Sequence, residues 1–224
     1  VSFGTYARRV RDEALDPRAR HMALRCAVGR YGPLGFNATW AYVTAVARPL
    51  PDVRRDVPAL VRALDVLEAS RSVRLAEEAA FAAARRAEKA AGRRTPRAAD
   101  AAALAGPRWP GRTPPSRLGL VAAVADRDRW FRGLPFPDES LLPDERFRDL
   151  AVLHDRLGAA AAAYLARLGD PDGEVRASAA EAARGIDAFV RPGYAPLNGF
   201  VLPWRRFAAL LGYAAGAVQP SDET

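Results

Sequence analysis

Apolar residues along this chain recur mostly at steps of three and four, the spacing of one helix face, and strand-like alternation is scarce. Val57, Leu60, Val61, Leu64 and Leu67 mark one such face in 56–70. An alanine-rich stretch follows over 72–91, with Glu77 and Glu78 ahead of Arg85 and Arg86, the order that suits a helix dipole. The longest stripe is Phe147, Leu150, His154, Leu157, Ala161, Tyr164 and Leu168, which predicts a helix over 144–168. Beyond a Gly-Asp-Pro-Asp-Gly turn, Val175, Ala179, Ala182, Ile186 and Phe189 repeat the spacing. Shorter helices are expected over 4–14, 17–30 and 117–131, and a last one starting at Pro203 with Trp204, Phe207, Leu211 and Val218 turned inward. Asp16-Pro17 opens the second of these as a cap followed by a first-turn proline. The pattern predicts an all-α protein, a bundle of roughly seven to nine helices.

Residues 92–116 break the periodicity with five prolines, repeated arginines and few large apolar side chains, and read as a long loop. The chain is then one helical domain over 1–224, or two lobes, 1–91 and 117–224, joined by that loop. One short stretch, Leu165 to Ile186, resembles a single HEAT-type repeat unit: Asp170-Pro171 in the turn, then Val175-Arg176 and an alanine-rich second helix. The resemblance implies a helical hairpin that stacks on its neighbours. A solenoid needs about three such units, and no others stand out.

Composition narrows the setting. Lys89 is the only lysine among 34 basic residues, and the net charge is +8. Arginine suits phosphate, which raises a nucleic-acid reading, while scarce lysine with abundant alanine is also the signature of a GC-rich bacterial genome. Cys26 is the only cysteine, which excludes an intrachain disulfide and fits a cytoplasmic setting. No apolar run is long enough to span a membrane, and no export signal is legible after Val1; a chain opening on Val rather than Met leaves room for a leader upstream. Cys26 is expected in the core, and His21, among arginines, in solvent.

One segment occurs twice. Tyr31-Gly-Pro-Leu-Gly-Phe-Asn-Ala-Thr-Trp40 is echoed by Tyr194-Ala-Pro-Leu-Asn-Gly-Phe-Val-Leu-Pro-Trp204. Proline stiffens each copy, glycine permits a tight turn, and Phe36/Trp40 or Phe200/Trp204 share a face wherever the helix has begun. Each copy is a rigid corner feeding a helix, either as an aromatic plug in the core or as the wall of a pocket. As pocket walls, Phe36, Asn37, Trp40, Asn198, Phe200 and Trp204 would bind a ligand, with Trp130 and Phe136 from a third aromatic segment, 129–147. That segment also carries Asp138, Glu139, Asp144 and Glu145 and would cross the surface or close as a lid.

Chemistry-bearing motifs are few. Two histidines and one cysteine, widely spaced, give no zinc pattern, and neither a phosphate-binding glycine loop nor a nucleophile elbow occurs. No metal or cofactor is expected, haem on His154 being the single remote exception. His154, Tyr31 and Tyr194 are the acid–base candidates. Arg148 lies ahead of His154 at a spacing that resembles the Arg-to-His signature of HEPN ribonucleases, which would imply RNA cleavage. A nucleic-acid footprint would be Arg93, Arg94, Arg97, Arg108, Arg112 and Arg117, with Trp109 to stack on bases.

The favoured expectation is a helical protein holding a small hydrophobic or aromatic molecule between the two corners, as a binder or as a cofactor-independent isomerase or cyclase of specialised metabolism. The alternatives are a nucleic-acid or phosphate-binding module using the arginine loop, and a structural or protein-interaction module, including a homodimer. No membrane partner is expected.

Overall fold

In a computed structural model of the chain, the described residues are 1–47, 56–95, 109–110, 117–138, 140, 144–190 and 198–216; for 144, 198 and 199 only the backbone is described. They form eight helices and no strands: α1 Phe3–Arg11, α2 Pro17–Arg30, α3 Phe36–Val46, α4 Val57–Ala90, α5 Arg117–Arg132, α6 Asp144–Ala166, α7 Gly173–Phe189 and α8 Asn198–Gly216. The protein is an all-α bundle.

Capping chemistry sets the helix starts. The Asp16, Asp56 and Asp172 carboxylates accept the amides of Ala19, Ala59 and Val175 at 2.8, 3.0 and 2.9 Å, each satisfying an amide that the first turn leaves open. The first helix is shorter than its pattern suggested and ends at Arg11. The buried Arg20 side chain reaches back to the Val10 carbonyl at 2.7 Å, filling an acceptor at that end.

The two stretches 56–70 and 72–91 are one helix, α4, 34 residues and about 51 Å long. Its buried residues are Ala59, Leu60, Ala63, Leu64, Leu67 and Ser70, so only the first half is held by the core. Beyond Ser70, ion pairs Arg74–Glu78 and Arg85–Glu88 line the helix. Glu78 therefore pairs back toward Arg74, because Arg85 is two turns away, beyond salt-bridge reach.

Two expected boundaries moved. α6 stops at Ala166, and Leu168 takes a left-handed φ of 49° and is 65% exposed rather than closing the apolar stripe. α8 begins at Asn198 rather than at Pro203, which sits inside the helix. Proline there removes only one early intrahelical donor, to the Gly199 carbonyl, a loss that the burial of the helix offsets. Val218 lies outside the described residues.

Buried side chains from every helix form one core cluster. α8 lies against α3, α5, α6 and α7, and every side chain described from Phe200 to Ala215 is at least partly buried. The Leu165–Ile186 stretch is a helical hairpin, the end of α6 turning through Gly169 into α7, and α7 packs on α8.

Gly169 is fixed by its surroundings. Its φ is +75°, and a Cβ there would lie 2.5 Å from Val121 Cγ2 and 3.0 Å from the Tyr164 hydroxyl. Gly92 has a similar φ of +88° but open space around it. In urea titrations, Gly169→Ala should cost about 2–4 kcal/mol, from strain plus overpacking, and Gly92→Ala about 1 kcal/mol from strain alone. Equal costs would place the constraint in the backbone only.

Burial pushes the Tyr164 phenol up to about 12, against a smaller lowering by Arg117. The folded state thus holds that proton more tightly than the unfolded chain, whose phenol titrates near 10. Stability from this group is complete below pH ~10 and is lost as pH rises from there to about 12. Urea midpoints should fall across that window, and Tyr164→Phe should flatten part of the fall. Tyr42 and Tyr213, also raised by burial, should account for some of the remainder.

Candidate functional site

The first aromatic corner is built from α2 outward. The Tyr31 amide closes α2 on the Ala27 carbonyl at 2.9 Å, and the Gly35 amide reaches the Gly32 carbonyl at 2.9 Å, making a turn over Pro33. Gly35 has a φ of +78°, a conformation glycine alone adopts without strain, and the Leu34 amide donates to Thr39 Oγ1 at 3.0 Å. α3 starts immediately, so Phe36 and Trp40 share a face with rings nearly parallel, 11° apart, and centroids at 6.5 Å. Asn37 is half-buried on the same helix.

Trp40 also meets His21 edge-to-face at 5.3 Å, and the Arg206 guanidinium from α8 lies 5.3 Å over its ring. His21 is therefore buried rather than solvated. The aromatic face of Trp40 attracts it out of water, a tertiary contact that its arginine-rich neighbours in sequence hide. Cys26 is intermediate in exposure.

The second corner is described only from its helical part; Tyr194 and the side chain of Asn198 lie outside the described residues. Phe200 is partly buried and packs on the core. Trp204 is 1% exposed and joins a cluster with Phe131, Phe136 and His154 at centroid distances of 5.7, 5.5 and 4.9 Å. Its Nε1 is buried with no hydrogen-bond partner. Residues 204 and 206 differ by about 200° around α8, so Trp40 and Trp204 stand on opposite sides of that helix. α3 and α8 pack together, yet the two tryptophans belong to different ring groups.

His154 is bracketed by rings: Phe131 at 4.5 Å, Trp204 at 4.9 Å and Phe136 edge-on at 5.3 Å. Its Nδ1 lies 3.2 Å from an oxygen of the exposed Asp155 carboxylate. A haem iron could reach this imidazole only through Nε2. Arg148 is exposed on α6, about 120° around the helix from His154. Trp130 points elsewhere, half-buried beneath the Arg127 guanidinium at 5.6 Å. The Ser140 hydroxyl and then its amide, 2.8 Å away, donate to the Asp138 carboxylate and hold it below the ordinary range. Glu139 and the side chain of Asp144 are outside the described residues. Among the described residues no three metal-ligating side chains converge.

The arginine footprint is divided. Arg93 and Arg94 are exposed at the end of α4. Trp109 packs edge-to-face on Tyr42 at 4.9 Å, and Arg117 donates to the Leu168 carbonyl at 2.8 Å, so both serve internal contacts. Arg97, Arg108 and Arg112 lie outside the described residues.

A cleft of about 610 Å³ opens beside the first corner. Phe3 from α1, Arg30 and Tyr31 from the end of α2, Pro33 from the turn, and Arg71, Arg74, Leu75 and Glu78 from α4 line it. It lies where α4 leaves the core, just past Ser70. The Tyr31 hydroxyl is hydrogen-bonded to Ser70 Oγ at 2.8 Å, and the Tyr31 ring meets Phe3 edge-on at 6.3 Å. Burial raises the Tyr31 phenol above its ordinary value, partly offset by the Ser70 bond and Arg74. At neutral pH it is a neutral hydrogen-bonding group, not a base. Two further clefts, of about 690 and 500 Å³, are grooves beside α7, facing α8 and α6 respectively, and the first contains the Arg205–Asp187 pair.

Sequence reasoning names Tyr31 as an acid–base candidate for a cavity between the two corners; it names none of Phe3, Arg71, Arg74 and Leu75, which line this cleft with it. The available signal was the end of the buried α4 pattern, which places the next turn at the rim of the core. No protein family model, curated protein or solved structure matches the chain. Among the described residues, no helix is long and apolar enough to cross a membrane.

The ring cluster makes a spectroscopic prediction. Phe131, Trp204 and Phe136 all lie against the imidazole, so Phe136→Ala should change the His154 ring-proton shifts in NMR spectra while costing about 1–2 kcal/mol. Unchanged His154 shifts in the variant would mean that Phe136 does not rest on the imidazole.

Proposed function

We propose that this protein binds a small molecule with an aromatic or aliphatic body in the cleft beside Tyr31. The observation that carries the reading is the cleft itself: its volume of about 610 Å³ is that of a small-ligand site, and side chains from three helices and a stiffened turn converge on it. Phe3, Tyr31, Pro33 and Leu75 offer apolar walls, while the Tyr31–Ser70 pair supplies a neutral polar group at one edge. Relative to a ligand held between both corners, this reading keeps the first corner and assigns Trp40 and Trp204 to packing. It is a binding function: among the described residues, Glu78 at the cleft is engaged by Arg74, and the raised phenol of Tyr31 favours donating a hydrogen bond over abstracting a proton.

Leu75 is 45% exposed at the rim and can be changed without disturbing the core. N-phenyl-1-naphthylamine, a neutral dye that brightens in apolar surroundings, should bind the wild type, and Leu75→Glu should weaken it about tenfold or more. Native mass spectrometry of the protein from its own host should show a small-molecule adduct that Leu75→Glu loses. Dye binding insensitive to Leu75→Glu, with a bare native mass, would overturn the reading.

A further inference from the structure

We infer that the ligand of the Tyr31 cleft carries an acidic group, a carboxylate, sulfonate or phosphate, attached to its apolar body. The inference rests on the binding reading above and specifies the chemical class it accepts. Three guanidinium groups line the cleft, those of Arg30, Arg71 and Arg74, against one carboxylate, Glu78. Glu78 is engaged by Arg74 at 2.7 Å, so that pair is internally balanced. Among the described residues no carboxylate forms a salt bridge with Arg30 or Arg71. Arg71 lies over the Phe3 ring, its guanidinium carbon 4.8 Å from the centroid.

This stacking matters for recognition. A guanidinium resting on an aromatic face is oriented, and the edge of its planar fork stays available for a bidentate acid. Less rotamer freedom is then lost when the acid binds. Arg30 approaches from the α2 end, so the two cations reach the cleft from different helices while Leu75 offers apolar wall between polar rims. Glu77 acts on Tyr31 through space but does not line the cleft, so the side chains lining it carry a net charge of +2. A neutral ligand would leave that charge uncompensated; an acid would neutralise it through charge-assisted hydrogen bonds to the half-buried Arg71 and the exposed Arg30.

The test pairs two dyes of nearly one shape. 1-Anilinonaphthalene-8-sulfonate is the sulfonated counterpart of N-phenyl-1-naphthylamine. The sulfonate should bind the wild type about tenfold more tightly, and the advantage should shrink with added salt. Arg30→Gln with Arg71→Gln should remove the advantage, the sulfonate losing about tenfold more affinity than the neutral dye does. Arg30→Lys with Arg71→Lys should restore part of it through charge alone. Circular dichroism of each variant controls for folding. Equal affinity for the two dyes in the wild type, with both lost in Leu75→Glu, would overturn the acid inference and leave the binding reading standing. An advantage that survives the double Gln variant would also overturn it. Failure of both dyes to bind, or indifference of both to Leu75→Glu, would overturn the binding reading and this inference with it.

Discussion

Burial of α8 on several sides is the constraint around which the other helices arrange themselves. Val201, Trp204, Phe207, Ala208, Leu210, Leu211, Ala214 and Ala215 are each 2% exposed or less, and the remaining side chains up to Ala215 are partly covered. A helix so enclosed has few ways to expose polar atoms. Small residues such as Ala208, Ala214 and Ala215 let neighbours approach closely, while Trp204 and Phe207 fill the space toward α5 and α6. Trp204 reaches that fit with its indole N–H unpartnered, a desolvation cost of about 1–3 kcal/mol that ring packing has to offset. On the opposite side, Arg206 lies over Trp40 and connects the helix to α3.

The same economy explains the cleft. The core is wide enough to bury α4 only from Ala59 to Ser70, yet alanines and local ion pairs carry the helix on to Ala90. The overshooting helix and the stiff turn at Pro33 diverge, and the space between them cannot be filled by either. Tyr31 closes its inner edge by bonding to Ser70, the last buried residue of α4. Arginines just beyond that residue are placed at the mouth, because the next helical turn is the first one free of the core.

Arg127 shows how α5 and α3, more than eighty residues apart, are joined. Nearly buried, it donates to Thr44 Oγ1 at 2.6 Å and to the Ala41 carbonyl at 3.3 Å, and Thr44 in turn donates to the Trp40 carbonyl at 2.6 Å. The bond from α5 to α3 satisfies polar atoms of a buried helix whose own sequence is largely apolar.

What the sequence determined by itself was local: the all-α class, the span of α2, the Asp16 cap, and the common face of Phe36 and Trp40. Each depends on residues within one or two helical turns, where propensity, capping and periodicity act directly. Tertiary structure decided the rest. It set Trp40 and Trp204 in different ring groups, buried His21 against Trp40, and drew Trp109 onto Tyr42. It also joined Phe3, Tyr31 and Arg71, residues far apart in sequence, into one cleft. The reason is physical: a hydrophobic stripe states which face a helix buries, but not which neighbour covers it. Only the packing of all the helices decides where a face runs out of partners and a cavity remains.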